Sequence, residues 1–374
     1  MNLVTTITGL PFVGKTTLFD LLTGQHIATG TFAGAEAETN VGVAKVPDER
    51  LDKLVPLFKP KKVTHVEITY RDLGLAKGGG DGSPRGDQRI STKKLGDLRT
   101  SDALLHVVRA FRDPTVPHPE GTVDPVRDLA TLDLELVISD HSVVERRIER
   151  IEPEIRGARA GGEREGKERE RDLLQRCLAA LDGETPLREL DLDPDEQKVL
   201  RGYRFLTLMP QLVVVNLDET DVAQPEKILA PIRAAASKHR STGVVHVCAK
   251  LEAEIAELSA DEAKAFREEA GLHEPALDRV VRATYDLLGL ISFFTVGPDE
   301  CRAWTVQGGE TAQEAAGEIH SDLERGFIRA EVITWSDLLR SGSEAEAKRH
   351  GLMRLEGRAY PVKDGEVVHV LHSG

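Results

Sequence analysis

Apolar positions first gather between Leu3 and Thr8, in a run that reads as a buried strand. A glycine-bearing turn follows, and then Leu18, Phe19, Leu21 and Leu22 fall on a helix, the opening of an α/β domain. Further β-rich runs occur at Thr64 to Tyr70, Ala103 to Val108, Gln211 to Asn216 and Gly243 to Val247, each bounded by polar or glycine-containing segments. Their spacing predicts a mostly parallel sheet. Between about Asp128 and Arg204 the period changes. Leu132, Leu136, Val143, Ile148, Ile151 and Ile155 recur at helical spacing, a glycine-rich break spans Gly157 to Gly162, and Leu173, Leu174, Cys177, Leu178 and Leu181 form a second set. The densely charged intervening positions predict an antiparallel helical hairpin projecting from the α/β domain, either a plain elaboration or an interaction arm. After Leu288 the chain predicts short strands at Ile291 to Val296 and Arg302 to Val306, a helix from Thr311 to Glu324, a strand at Val332 to Trp335, and a closing strand pair, Tyr360 to Val362 with Val367 to Leu371, around a tight turn at Lys363 to Glu366.

A chain of 374 residues suggests two or three domains. Its 49 basic and 63 acidic side chains leave a formal charge of −14, which argues against nucleic-acid binding over the whole surface and against a DNA partner, while leaving room for a local basic patch. Cys177, Cys248 and Cys301 are far apart with no C-x-x-C pair, so neither a zinc site nor a disulfide framework is expected. The uncharged start of the chain and the lack of an apolar run of membrane-spanning length point to a soluble cytoplasmic protein with no membrane partner.

The strongest chemical signal is Gly9-Leu10-Pro11-Phe12-Val13-Gly14-Lys15-Thr16, which matches G-x-x-x-x-G-K-[ST] between a strand and a helix. In such a loop the backbone N–H groups face phosphate, with Gly9, Pro11, Phe12, Val13, Gly14 and Thr17 as candidate cradle positions. Lys15 compensates phosphate charge, the Thr16 hydroxyl is a ligand for Mg²⁺, and the helix dipole adds to both.

Four stretches carry a family resemblance: GLPFVGKTTLF at Gly9 to Phe19, VPDERLDKL at Val46 to Leu54, VVVNLDE at Val213 to Glu219, and RAWTVQGGETAQEAAGEIHSDLERGFIRAEV at Arg302 to Val332. In this order they resemble the YchF/Obg-like ATPases over essentially the whole chain. The resemblance implies a Ras-like P-loop NTPase domain (1–128 and 205–288), an inserted coiled-coil hairpin (129–204) and a C-terminal ubiquitin-like (β-grasp) TGS domain (289–374). It implies ATP and Mg²⁺ as ligands, and the ribosome or ribosomal RNA as a partner reached through the arm and the TGS domain. Where GTPases carry N-K-x-D, this chain has Asn216-Leu217-Asp218-Glu219, the family's N-x-x-E form, so Asn216, Leu217 and Glu219 are the expected base-binding positions and ATP the expected nucleotide. Phe111 matches a family position near the base; it either packs on the base or belongs to the core.

Several positions depart from the family or bear on catalysis. Aligning Gly74 puts Arg71 where the family has the acidic residue that steadies Mg²⁺, with Asp72 on the opposite strand face, so that Mg²⁺ binding would need Asp72 or Glu36 to swing in as the compensating metal residue. Counting back from Asn40 puts Glu36 where the family has a Mg²⁺-binding Thr, and Phe12 replaces a P-loop Asn whose counterpart in related NTPases helps hold potassium. Leu75 stands where Ras-like GTPases orient water with Gln, as in the family generally. His118 matches a loop His considered a catalytic candidate; the alternative is a solvated loop histidine. Gly78 to Gly86 reads as a second switch or an ordinary loop. Three functions follow: a slow ATPase switch associated with translation, an ATP-occupied interaction scaffold without efficient hydrolysis, and a conventional Obg-type GTPase.

Overall fold

The computed structural model describes residues 3–25, 39–73, 92–159, 161–270, 272 and 274–373. In chain order the elements begin with β1 (Leu3–Thr8), α1 (Lys15–Thr23), β2 (Thr39–Lys45), α2 (Glu49–Phe58), β3 (Lys62–Thr64), β4 (Glu67–Leu73), α3 (Thr92–Leu98) and β5 (Ala103–Arg109). Two long helices, α4 (Pro125–Gly157) and α5 (Gly162–Asp182), precede α6 (Pro194–Arg201), β6 (Gln211–Asn216), α7 (Glu226–Ala236), β7 (Thr242–Val247), α8 (Ala249–Ala256), α9 (Ala260–Glu269) and α10 (Ala276–Leu287). The remainder is β8 (Leu290–Thr295), β9 (Glu300–Gln307), α11 (Ala312–Ile319), α12 (Ser321–Arg325), β10 (Phe327–Thr334), α13 (Trp335–Ser341), α14 (Glu344–Arg349), β11 (Arg354–Glu356) and β12 (Glu366–His372). Among the described residues no helix is long and apolar enough to cross a membrane.

The first sheet has the order β2-β4-β1-β5-β6-β7, and β1/β5, β5/β6 and β6/β7 pair in parallel. Every residue of β5 and β6 is buried, as expected of central parallel strands covered on both faces. Parallel pairing brings the carboxyl ends of β1, β5, β6 and β7 to one edge, where ligands bind in open α/β sheets. Between β5 and β6 the chain makes its helical excursion. Asp124 caps α4, accepting from the backbone N–H groups of Val126 and Arg127, with Pro125 at the first helical position. The apolar stripes of α4 and α5 share one core that includes Val137, Val144, Leu173, Leu174 and Cys177. Ion pairs join residue 141 to 182, 147 to 170 and 154 to 167, so the two helices run in opposite senses.

Packing divides the chain into two compact units, Val4–Gly42 with Tyr70–Val280, and Met1–Leu3 with Val43–Thr69 and Val281–Gly374. This differs from the sequence expectation, which gave everything before residue 128 to the nucleotide domain. The reason is a long-range strand pairing: β3 lies parallel to β9, and α2 buries Leu51 and Leu54 completely within the same unit. The second sheet therefore reads β11-β10-β12-β8-β9-β3.

Two further expectations change in this unit. The turn at Lys363 to Glu366 forms, with the Glu366 N–H donating to Lys363 O at 3.2 Å, but it does not close a hairpin. β12 pairs instead with β10 and β8, while Pro361, which has no N–H to donate to a ladder, makes an isolated bridge to Thr311. The expected helix from Thr311 to Glu324 is two helices, α11 and α12, interrupted at His320, whose extended backbone ends one and caps the next.

Candidate nucleotide-binding site

The loop after β1 is built from backbone conformations that its residue types permit, with one exception. Gly9 has φ +140, and a Cβ there would lie 2.3 Å from the Val107 carbonyl oxygen; Gly14 has φ +96, and a Cβ would lie 2.5 Å from Asn216 Nδ2. Both close approaches require glycine. Phe12 is the exception, a half-exposed aromatic residue held at φ +63. Val13 is completely buried and anchors the loop. Lys15 is buried, and its ammonium donates to Gly9 O at 3.0 Å and Leu10 O at 2.6 Å. Burial lowers its pKa to about 8, opposed by the Asp72 carboxylate and reinforced by the Lys94 cation. A phosphate on this loop would supply the negative charge that Lys15 lacks.

Beside the lysine, Thr16 Oγ1 donates to Asp72 Oδ2 at 2.7 Å. Asp72 is 1% exposed, and its other oxygen, Oδ1, is buried with no hydrogen-bond partner among the described residues. The sequence expectation had Arg71 in this place and Asp72 turned away; the structure reverses them. Arg71 Nη1 donates to Thr100 Oγ1 at 2.7 Å. Alternation along β4 does separate the two side chains, but the strand register, not the downstream glycine, sets which one meets the P-loop. A hydroxyl and a carboxylate with an unused buried oxygen, next to a phosphate loop, suit Mg²⁺, a hard ion that keeps waters and takes one or two carboxylates plus phosphate oxygens. Thr16 would ligate it and Asp72 would hold its hydration shell. Glu36, Leu75 and the segment Gly78 to Gly86 lie outside the described residues.

A cavity of about 500 Å³ joins the loop to the ends of β5, β6 and β7, lined by Gly14, Thr17, Phe111, Asn216, Leu217 and Glu219 among others. Of the expected positions, Gly14 and Thr17 of the cradle share this space with Phe111, Asn216, Leu217 and Glu219, and Gly9, Pro11, Phe12, Val13, Lys15 and Thr16 are not in its lining. Asn216 is 5% exposed and spends both ends of its amide on the protein: Nδ2 donates to Val13 O and Oδ1 accepts from the Ala249 N–H, each at 3.0 Å. It ties the phosphate loop to the start of α8. Leu217 lines the cavity but is 1% exposed and packs in the apolar core with Val108, Val213 and Leu229. Glu219 stands at the rim with its carboxylate paired to Lys250 Nζ at 2.6 Å. Phe111 is partly exposed, and the Arg109 guanidinium covers one face of its ring at 4.3 Å.

Comparison with known proteins bears on this arrangement. A sequence profile named YchF-GTPase_C, described as a protein of unknown function, matches residues 290–373. The protein named ribosome-binding ATPase YchF of Bacillus subtilis (strain 168) is 40% identical, with the alignment covering 99% of each chain. The chain belongs to the YchF family. A protein of the same name from Pasteurella multocida (strain Pm70) is also 40% identical, covering 97% of both chains. Among solved structures, the Schizosaccharomyces pombe YchF GTPase superposes with a TM-score of 0.83 at 29% identity, over 99% of this chain and 98% of that one.

Within this YchF-family fold, His118 is neither solvated nor free. Its side chain is 4% exposed, Nδ1 accepts from the Glu120 N–H at 3.1 Å, and Nε2 therefore carries the proton donated to Asp128 Oδ2 at 2.9 Å. Asp128 is itself buried and also receives Arg127. The loop bearing His118 is gathered from beneath by Arg109, which donates to the carbonyls of Phe111, Asp113, Val116 and Pro117. The sequence reading missed Cys248, Ala249 and Lys250, which line the cavity opposite Glu219. A signal existed: they occupy the junction of a parallel strand with a helix at the same sheet edge as the P-loop.

Proposed function

We propose that this YchF-family chain is an ATP-preferring, Mg²⁺-dependent P-loop switch that hydrolyses ATP slowly and associates with ribosomes in the cytoplasm. The observation that carries the reading is the single cavity running from Gly14 and Thr17 to Glu219, which suits a nucleotide with its phosphates on the loop and its base at the rim. Glu in place of a GTPase Asp, without the accompanying Lys, favours adenine, which offers an N6 amino donor and no N2 donor. Slow turnover is supported by Phe12, which has no oxygen to hold potassium beside the phosphates, and by His118, whose two nitrogens are already engaged. Ribosome association follows the names of the bacterial relatives, which are called ribosome-binding ATPases. Residues 129–204 would serve as the interaction arm and residues 289–374 as a TGS module, the two surfaces offered to ribosomal RNA.

The engaged state of His118 also favours a second reading, an ATP-occupied scaffold that has lost hydrolysis. One set of measurements separates the possibilities: ATP and GTP affinities, Mg²⁺-dependent turnover in sodium and in potassium, and cosedimentation with ribosomes with and without ATP. Tighter binding of ATP, slow turnover indifferent to potassium, and nucleotide-sensitive cosedimentation are expected. Tighter binding of GTP would overturn the base assignment, and turnover indistinguishable from the Lys15→Ala background would select the scaffold.

A further inference from the structure

Lys250 opens the first turn of α8 on the rim of the base cavity, with Nζ 2.6 Å from Glu219 Oε1 and 4.0 Å from Glu254 Oε1. Its side chain is 72% exposed and that of Glu219 39% exposed. An exposed pair of this kind adds little to the stability of a fold. Its position does alter what the rim presents to a base. Asp113, Asp218, Glu219, Glu254 and Glu257 line the cavity together with the cations Arg112 and Lys250, and it is Lys250 whose ammonium meets Glu219.

We propose that Lys250 is a specificity-determining residue that selects adenine over guanine by occupying one oxygen of the Glu219 carboxylate. Guanine presents two adjacent donors, N1–H and the N2 amino group, which a carboxylate receives best with both oxygens, in the manner of other bidentate pairs. With Oε1 committed to the ammonium, Glu219 offers Oε2 alone. One acceptor beside one cationic donor matches the adenine edge, where the N6 amino group donates and N1 accepts. Guanine can set its O6 and N1–H against the same two groups, but its N2 amino group is then left short of an acceptor, and unpaired polar groups are what give such sites their discrimination. The chemistry is that of Lys250 and Glu219 acting together; neither side chain alone provides it.

This inference rests on the ATP-preferring reading, and the test separates the two. Affinities of the full-length chain for ATP, GTP and ITP are measured for the parent, Lys250→Ala and Lys250→Arg. The parent should prefer ATP. Lys250→Ala should narrow the ATP-to-GTP affinity ratio by about tenfold, chiefly by tighter GTP binding, with ITP gaining less because it lacks the N2 donor. Lys250→Arg, which restores the pairing, should return the ratio toward the parent. If the parent binds GTP more tightly than ATP, the underlying reading fails. If the parent prefers ATP but Lys250→Ala weakens ATP, GTP and ITP alike, or leaves the ratio unchanged, the role of Lys250 fails and the reading stands.

Discussion

Replacing Asn216 by alanine tests whether this residue builds the nucleotide site or reads the base. The side chain is almost fully buried and makes two 3.0 Å hydrogen bonds, donating to Val13 O and accepting from the Ala249 N–H. Truncation leaves a carbonyl and an amide without these partners. Each buried group so stranded costs about 1–3 kcal/mol, so the loss of stability should be about 2–6 kcal/mol. For a unit of this size a loss near 3 kcal/mol corresponds to a fall in Tm of roughly 6–12 °C. The P-loop is held to α8 through Asn216, so affinity for ATP and for GTP should fall together, with little change in their ratio. Thermal unfolding of the nucleotide-free protein and titration with both nucleotides measure the two effects. A Tm within 1 °C of the parent, or a loss confined to one nucleotide, would refute the reasoning. Asn216→Asp sharpens the comparison, because it keeps the acceptor for Ala249 but sets a carboxylate oxygen against Val13 O.

Phe12→Asn should stabilise the nucleotide-free protein by about 0.5–1 kcal/mol in urea unfolding, because asparagine tolerates the left-handed conformation that phenylalanine resists; a destabilised variant would mean that the exposed ring makes compensating contacts. Lys15 ties nucleotide binding to pH. Its pKa near 8 in the folded, ligand-free chain lies below the unfolded value of 10.5, so the unfolded state binds more protons between those values, and the parent should gain stability relative to Lys15→Met as pH rises from about 8 to 10.5. Phosphate favours the charged lysine, so ATP binding near pH 8–9 should take up protons, visible in calorimetry as a dependence on buffer ionisation enthalpy; no such dependence would contradict the buried, depressed lysine. His118→Ala should lower stability by about 1–3 kcal/mol, by stranding the buried Asp128, and leave whatever turnover the parent shows nearly intact. A large loss of turnover at unchanged stability would instead make His118 catalytic.

The phosphate loop was legible because its chemistry is local. Gly9, Gly14, Lys15 and Thr16 are fixed by what one strand–loop–helix passage must do for phosphate, and the spacing alone carries that information. Strands β5 and β6 were legible for a similar reason, since a run of apolar residues must be buried wherever the sheet lies. The stripes on α4 and α5 follow from a period of 3.6 residues and needed no partner to be seen. What failed were the readings that depended on register or on distant pairing. Arg71 and Asp72 are neighbours, and only the position of β4 beside β1 decides which faces Thr16. The segment from Val43 to Thr69 precedes most of the nucleotide domain in sequence, yet β3 adds to the sheet of β9 because hydrogen-bonded strand edges pair in space without regard to chain order. Sequence determined that this chain has a phosphate cradle, a parallel sheet and a long helical excursion. Tertiary structure alone decided that Asn216 braces the cradle, that His118 is committed to Asp128, and that Lys250 meets Glu219, because each depends on how a loop or strand end is folded against a different element, which no local spacing specifies.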